Sequence, residues 1–557
     1  MTDDGALGAA LEAFFNWYYR TNPVSATFIG VHEHDNRLPD CSEQGLGDAL
    51  SGLDSLRAQF GRLPPGPPTG TEALDRTLAE GQLDVFRWEF TSRHFHRSNP
   101  CFYTGEAIFG VVSLFLRPFA PLSIRAEAAV ERMMAIPALL AQARGAIRSS
   151  PRAWIERADR ECRGALAFLE RGVETLIRDE RVAHPRFREA AGRAAAAFRD
   201  FQAHLASELM PRATSDYGCG PEALDVLIRR GHFLCMDAED IASLAVEQMA
   251  VWKDRLKRVA AEAAAHDWRE ALERLAERHA GVAGYYARYG EIWQEARAVA
   301  DAHRLVTWPE YPIRYVPQPV WAREAAPFLY FLFYRAPSAY DRVPVVDYLV
   351  TPIERDMPEE EQQRRLRATN DTVIKLNHVI HHGGLGHHVQ NWYAYHRATS
   401  RIGRVAAVDC ASRIALFCGG TMAEGWACYA TDLMDEMGYL DRNERVAQAQ
   451  THLRMAARAL VDVRLHQGAW TLEQAATLYQ EQAGMTPEAA RAEAVKNSMF
   501  PGAALMYLVG TDHIHRLRSD LARRKGFTLQ RFHDEFLAHG SVPVALIASA
   551  MRGSAPP

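Results

Sequence analysis

The segment HVIHHGGLGHHVQNW, His378 to Trp392, holds five histidines within eleven residues and no carboxylate. Imidazole is a good ligand for zinc, iron, nickel or copper, so this crowding points to a metal site. Helical metal pairs stand four residues apart, and His378 with His382 has that spacing. His381 and His387 are six apart, which on a straight helix sends them toward opposite sides. Only a distorted turn unites those two, and Gly383, Gly384 and Gly386 make distortion cheap. About forty residues downstream, TMAEGWACYATDLMDEMG (421–438) has a helical pattern with Glu424 near its start. A neighbouring helix of that kind often supplies the third ligand of a His-His-Glu set.

Most of the surrounding chain reads as helix. The run 126–147 is rich in alanine and leucine, and Pro137 is expected to kink or split it. Apolar residues recur at three and four spacing in 161–179, 238–265 and 268–304, as amphipathic helices require. Asp237 caps one run, Thr471 with Gln474 forms a capping box, and Thr486-Pro487 opens another helix. Two stretches just before the histidines, 307–319 and 343–353, are β-branched, aromatic and bounded by prolines, and read as strands. A short sheet beside a metal-bearing helix is a common way to hold an extended peptide. GRLPPGPPTGT (61–71) reads as a loop or semi-rigid connector. The expected architecture is mainly α and two-lobed, with a helical lobe over 1–300, a metal-site lobe over 301–557 and a central cleft. The two lobes are read as one continuous unit.

Composition bounds the function. The 557 residues carry 64 basic and 69 acidic side chains, a net charge of −5, which argues against a nucleic-acid footprint. Eight cysteines form no CxxC pair, so no zinc ribbon or thioredoxin motif is present, and buried free thiols are expected. The start MTDDGALGAALEAFF has no basic n-region, and the most apolar window, APFLYFLFY (326–334), is too short to span a bilayer. These features predict a soluble cytoplasmic protein with no membrane partner.

HHGGLGHHVQ (381–390) and EGWACY (424–429) together resemble the signature of the bacterial DUF885 family, approximately HExxPGHHxQ followed by EGWAxY. The likeness extends to NPVSATFIGVHEHDNRLPD (22–40), VDVRLHQGAWTLEQA (461–475), FPGAALMYLVG (500–510) and FHDEFLAHGSVPVALI (532–547). It therefore spans nearly the whole chain. The family fold is similar to the M32-type carboxypeptidases of the gluzincin superfamily. The resemblance implies His381, His387 and Glu424 as metal ligands, with His388 a rival to His387. It also places His382 where the family has its general-base glutamate, and Leu385 where it has proline.

The second change only alters the turn. The first removes the group expected to take a proton from the attacking water and deliver it to the leaving amine. Three readings of His382 follow: it is the base itself, an added metal ligand, or the mark of a site that binds metal without turnover. Tyr507 is a candidate oxyanion donor, with aromatic packing as its alternative. Arg464 and His466 are candidates to bind a carboxylate or orient a ligand, against a packed or solvated helix face. His533 reads as capping or packing, and Asn377 and Gln390 as hydrogen-bonding support for the cluster. The expected protein is a hydrolase-like enzyme holding one zinc ion, or iron or another divalent metal, and acting on a peptide or small amide. Non-hydrolytic metal chemistry and silent metal binding are the alternatives.

Overall fold

Capping residues set the helix starts. Asp237 and Asp441 each accept from backbone N–H groups of the first turn, and Asp240 and Glu444 reach back to close both capping boxes. Thr471 with Gln474, and Thr486 before Pro487, open helices as their sequence predicts. The computed structural model describes residues 3–64, 70–328, 338–341, 343–410 and 413–554. It is 69% helix and 2% strand, so the mainly α expectation holds. Part of the 61–71 connector and most of the apolar window 326–334 lie outside the described residues.

Two expectations are corrected. Pro137 does not split its helix, which runs unbroken from Leu122 to Ala146. Proline removes a single ladder bond, and packing against Pro100–Leu116 and Phe187–His204 holds the helix together across it. The run 268–304 is two helices, Trp268–Ala276 and Gly281–Ala302. Between them the Arg278 carbonyl accepts from the Asp371 N–H at 2.8 Å, and its guanidinium meets Asp441 at 2.7 Å. Tertiary docking of Arg278 overrides the local periodicity.

Apolar side chains from Ala10 to Met551 form one continuous core. Within it Arg132 is fully buried and donates to the carbonyls of Arg37, Gly110 and Pro23 and to the Thr27 hydroxyl. Ala238–Glu262 lies along Arg442–His466 in the most extensive helix pair, and Gly420–Glu436 packs on Met506–Leu521. The expected strands form, shorter than their sequence pattern. β1 (Ile313–Pro317) and β2 (Val346–Val350) pair in parallel, Tyr315 opposite Tyr348. Both tyrosines touch His378, so the small sheet does stand beside the histidine segment. All eight cysteines are free, five of them buried.

Candidate metal centre

The histidine segment is not an ordinary helix. Residues Ile374–Gly383 form a π-helix, and a regular helix restarts at His387 and runs to His396. Between them the Gly386 N–H reaches back to the Ile380 carbonyl at 2.8 Å. The turn is too tight for a side chain at Gly386, where a Cβ would lie 2.0 Å from the His381 carbonyl oxygen. Trp293 holds the Gly383 carbonyl and Trp426 the Leu385 carbonyl, each at 2.9 Å. Trp426 belongs to the EGWACY helix, so the two motifs are tied directly. π-turns of this kind recur at functional sites.

The turn brings His381 and His387 to one place. Their Nε2 atoms lie 3.3 and 3.5 Å from Oε2 of Glu424. That oxygen is buried and has no hydrogen-bond partner among the described residues. Two ligand atoms on a tetrahedral ion with bonds of roughly 2.1 Å stand about 3.4 Å apart. The donor spacing therefore fits a metal ion better than it fits hydrogen bonds. His387 Nδ1 faces Gln390 Oε1 at 3.4 Å, and Gln390 in turn donates to Ser541 Oγ at 2.5 Å, which leaves the His387 Nε2 lone pair for the site.

His382 stands in the same cluster. The ligand atoms of His381, His382 and His387 all lie within 4.8 Å of one another. Its Nδ1 donates to the Asn377 carbonyl at 2.7 Å, which fixes the tautomer with the lone pair on Nε2. Burial and the neighbouring His381 and His387 hold its pKa well below the ordinary value. Burial lowers His381 as well, only partly opposed by Glu424. For His387, burial pulls down but the Glu424 charge prevails and raises it. Burial pushes the Glu424 carboxyl up, yet His387 and His381 outweigh it and hold it well below the carboxylate range.

The remaining candidates separate. His388, the rival second ligand, points away: Nε2 donates to the Tyr311 carbonyl at 2.7 Å and the ring stacks on Tyr311. Consecutive helical residues diverge by about 100°, so only one of the pair can face Glu424. His378 turns to the sheet, with Nδ1 2.6 Å from the Tyr348 hydroxyl. His466 is also outside the site, buried between the Asn497 carbonyl and the Cys219 N–H. Arg464 is spent on Glu239 at the surface. His533 packs between the Leu305 carbonyl and Tyr429.

Tyr507 does reach the site region. It lines a cleft of about 620 Å³ together with Asn377, His381, His382 and Glu424. The opposite wall comes from Arg442–His466, which contributes Thr451, Arg454, Met455 and Arg458. The two arginines are the residues that sequence reasoning missed. A signal was present in the four-residue ladder Arg454, Arg458, Asp462 and His466, which puts polar groups on one face of a largely buried helix.

The family described as "Bacterial protein of unknown function (DUF885)" matches residues 23–551. A structure described as "a putative lipoprotein of unknown function" from Shewanella oneidensis shares the fold at TM-score 0.78 and 21% identity, covering 98% of this chain and 99% of its own. A second, "the putative lipoprotein from Colwellia psychrerythraea", has TM-score 0.72 and 18% identity, covering 99% and 98%. No curated protein matches the chain. No described helix is long and apolar enough to cross a membrane. The expectation of a cytoplasmic protein is overturned by the description of both structural neighbours as putative lipoproteins.

Proposed function

The chain belongs to the DUF885 family, and from that premise we propose that it is a metal-dependent hydrolase acting on a peptide or an amide-bearing small molecule. In this reading the helices form two lobes about the cleft, similar to the M32-type carboxypeptidases of the gluzincin superfamily. The observation that carries the proposal is the buried Glu424 oxygen, set 3.3 and 3.5 Å from two imidazole nitrogens and hydrogen-bonded to neither. His381, His387 and Glu424 would hold the ion, with zinc the first choice for two nitrogens, a carboxylate and an open position. Bound there, it supplies Lewis acidity to a substrate carbonyl and acidifies a water.

The chain's own residues do the rest. His382 Nε2 carries a lone pair toward the cluster and takes the proton of the attacking water, returning it to the leaving amine. Tyr507 stands on the cleft wall to donate to the developing oxyanion. One observation favours a second reading: three imidazoles within 4.8 Å, with Glu424, can make four protein ligands. Such a set suits six-coordinate iron or manganese and non-hydrolytic chemistry.

Elemental analysis, then chelation and reconstitution with zinc or iron in an amide-hydrolysis assay, tests the proposal. One equivalent of metal and zinc-restored hydrolysis are expected. A protein with no stoichiometric metal overturns both readings, and iron-dependent chemistry without hydrolysis selects the second. The His382→Glu variant separates the roles of that residue. It gains hydrolysis if only the base is missing, and loses metal or native activity if His382 already serves.

A further inference from the structure

Away from the histidine turn, a second polar group stands against the cleft. Asp432 lies eight residues beyond Glu424 on the same helix, roughly 12 Å along its axis. Its Oδ1 accepts from His452 Nε2 at 2.7 Å and from Gln448 Nε2 at 3.0 Å, and its Oδ2 accepts from His515 Nε2 at 2.9 Å. These are hydrogen-bond lengths, shorter than the roughly 3.4 Å between two ligand atoms on one ion. Burial pushes the Asp432 carboxyl up, yet His452 and His515 outweigh it and hold it well below the ordinary range. Its ion-pair partners among the described residues are those two histidines, with no lysine or arginine. The His452 ring is fixed by stacking on Trp252, 4.2 Å between ring centres and 10° from parallel.

Four groups that line the cleft there, His452, Gln448, Thr431 and Thr451, have committed their protons inside the protein. The neutral His452 ring gives its one N–H to Asp432, which leaves a lone pair on Nδ1. Gln448 gives its Nε2 protons to Asp432 and to the Thr431 carbonyl at 3.2 Å, which leaves Oε1. The Thr431 hydroxyl donates to the Cys428 carbonyl at 2.6 Å, and the Thr451 hydroxyl to the Ala447 carbonyl at 2.9 Å. What the four have left to offer a ligand is acceptor oxygens and one acceptor nitrogen, with a buried anion behind them. A carboxylate or a carbonyl finds no donor among them. A primary ammonium, with three N–H donors and a positive charge, matches them. The nearest cation on that helix, Arg454, is two residues past His452 and about 200° round the axis.

We propose that His452, Gln448, Thr431 and Thr451 bind an ammonium group of the substrate, with Asp432 as the countercharge behind His452. An extended chain advances roughly 3.3–3.6 Å per residue, so 12 Å is three to four residues from Glu424. The ammonium is therefore a peptide's own N-terminus at that remove from the reacting amide, or a lysine-like side chain from a nearer residue. The inference rests on the cleft being the substrate site, and its test requires neither turnover nor metal.

Calorimetry on the full-length protein, metal-loaded and again after chelation, compares two pairs of probes. Trialanine amide is set against its N-acetyl form, and N-acetyllysine amide against N-acetylnorleucine amide. In one or both pairs the ammonium probe is expected to bind ~10–100-fold more tightly, with and without metal, as charge-assisted hydrogen bonds would give. Which pair shows it tells the chain terminus from the side chain. Thr431→Val removes one acceptor at nearly constant shape and lowers the preference several-fold. His452→Phe keeps a ring against Trp252 and abolishes it, with melting temperature and metal content as controls. Equal binding within both pairs by the wild type overturns the proposal, as does a preference that survives His452→Phe. A preference seen only with metal present also overturns it, because the ammonium would then sit at the histidine turn. If His452→Phe does not fold, Thr431→Val decides in its place, and an unchanged preference overturns the proposal. Failure of hydrolysis with the preference intact would strike the assigned reaction and not this site.

Discussion

Glu424 turns one oxygen toward two imidazoles and hydrogen-bonds neither, whereas His388, next in sequence to a ligand candidate, is consumed by a backbone carbonyl. The two residues therefore have opposite mutational signatures. Glu424→Gln should lose the metal equivalent on desalting while the melting temperature of the metal-free protein stays close to wild type. His388→Ala should keep the metal and cost about 2–3 kcal/mol of stability from lost burial and a lost hydrogen bond, read by urea unfolding.

Asp462 offers a pH test away from the cluster. Burial raises its carboxyl to about 7 despite the N–H groups of Leu505, Gly502 and Ala504. A raised native value means that the folded state holds the proton more tightly than the unfolded one. Its contribution is fully present below the ordinary 3.8 and is lost as pH rises through about 7. Asp462→Asn cannot ionise, so its stability relative to wild type should climb by on the order of 2–4 kcal/mol between pH 4 and pH 8. A flat difference across that range would refute the assignment.

At the scale of elements, the π-helix and its exit turn make the site from residues that a straight helix would keep apart. Gly386→Ala puts a methyl against the His381 carbonyl. It should cost about 3 kcal/mol or more and abolish metal binding, whereas Gly192→Ala, with open space around it, should do neither. The turn was legible as a distortion, because three glycines interrupt a histidine run, and so was the pairing with EGWACY. The cleft wall was not. Arg464 and His466 share a helix with Arg458, but six and eight residues further are roughly 9 and 12 Å along the axis and about 120° and 80° around it. Residue type marks a cation; only packing against Ala238–Glu262 and Gly420–Glu436 shows which cations face inward. The break at Arg278 escaped for the same reason, since its cause lies at Asp371 and Asp441.

The whole molecule joins its site from distant parts of the chain. The π-helix, the Gly420–Glu436 helix and the Arg442–His466 helix meet at one cleft, on a fold shared across nearly the full length of two solved relatives. The ligands come together only when those elements are docked, so the ion should prefer the folded state. At 100 times its Kd, zinc should add about 2.7 kcal/mol to global stability, and the melting temperature should rise with zinc concentration. A scanning-calorimetry series at increasing zinc checks this, and Glu424→Gln should flatten it. The mainly α class was readable from periodicity alone.

The helix bearing Glu424 meets the helix bearing Tyr507 glycine to glycine. A Cβ on Gly425 would lie 2.5 Å from the Gly510 backbone, and one on Gly510 only 2.0 Å from the Thr421 carbonyl. That wall of the cleft has no slack, so a mutational drift toward new substrates cannot begin there. The facing side, where Thr451, Arg454 and Met455 line the cleft, can be recut one residue at a time without disturbing the ligands. Members of this fold that differ in diet should differ along the second wall and agree along the first.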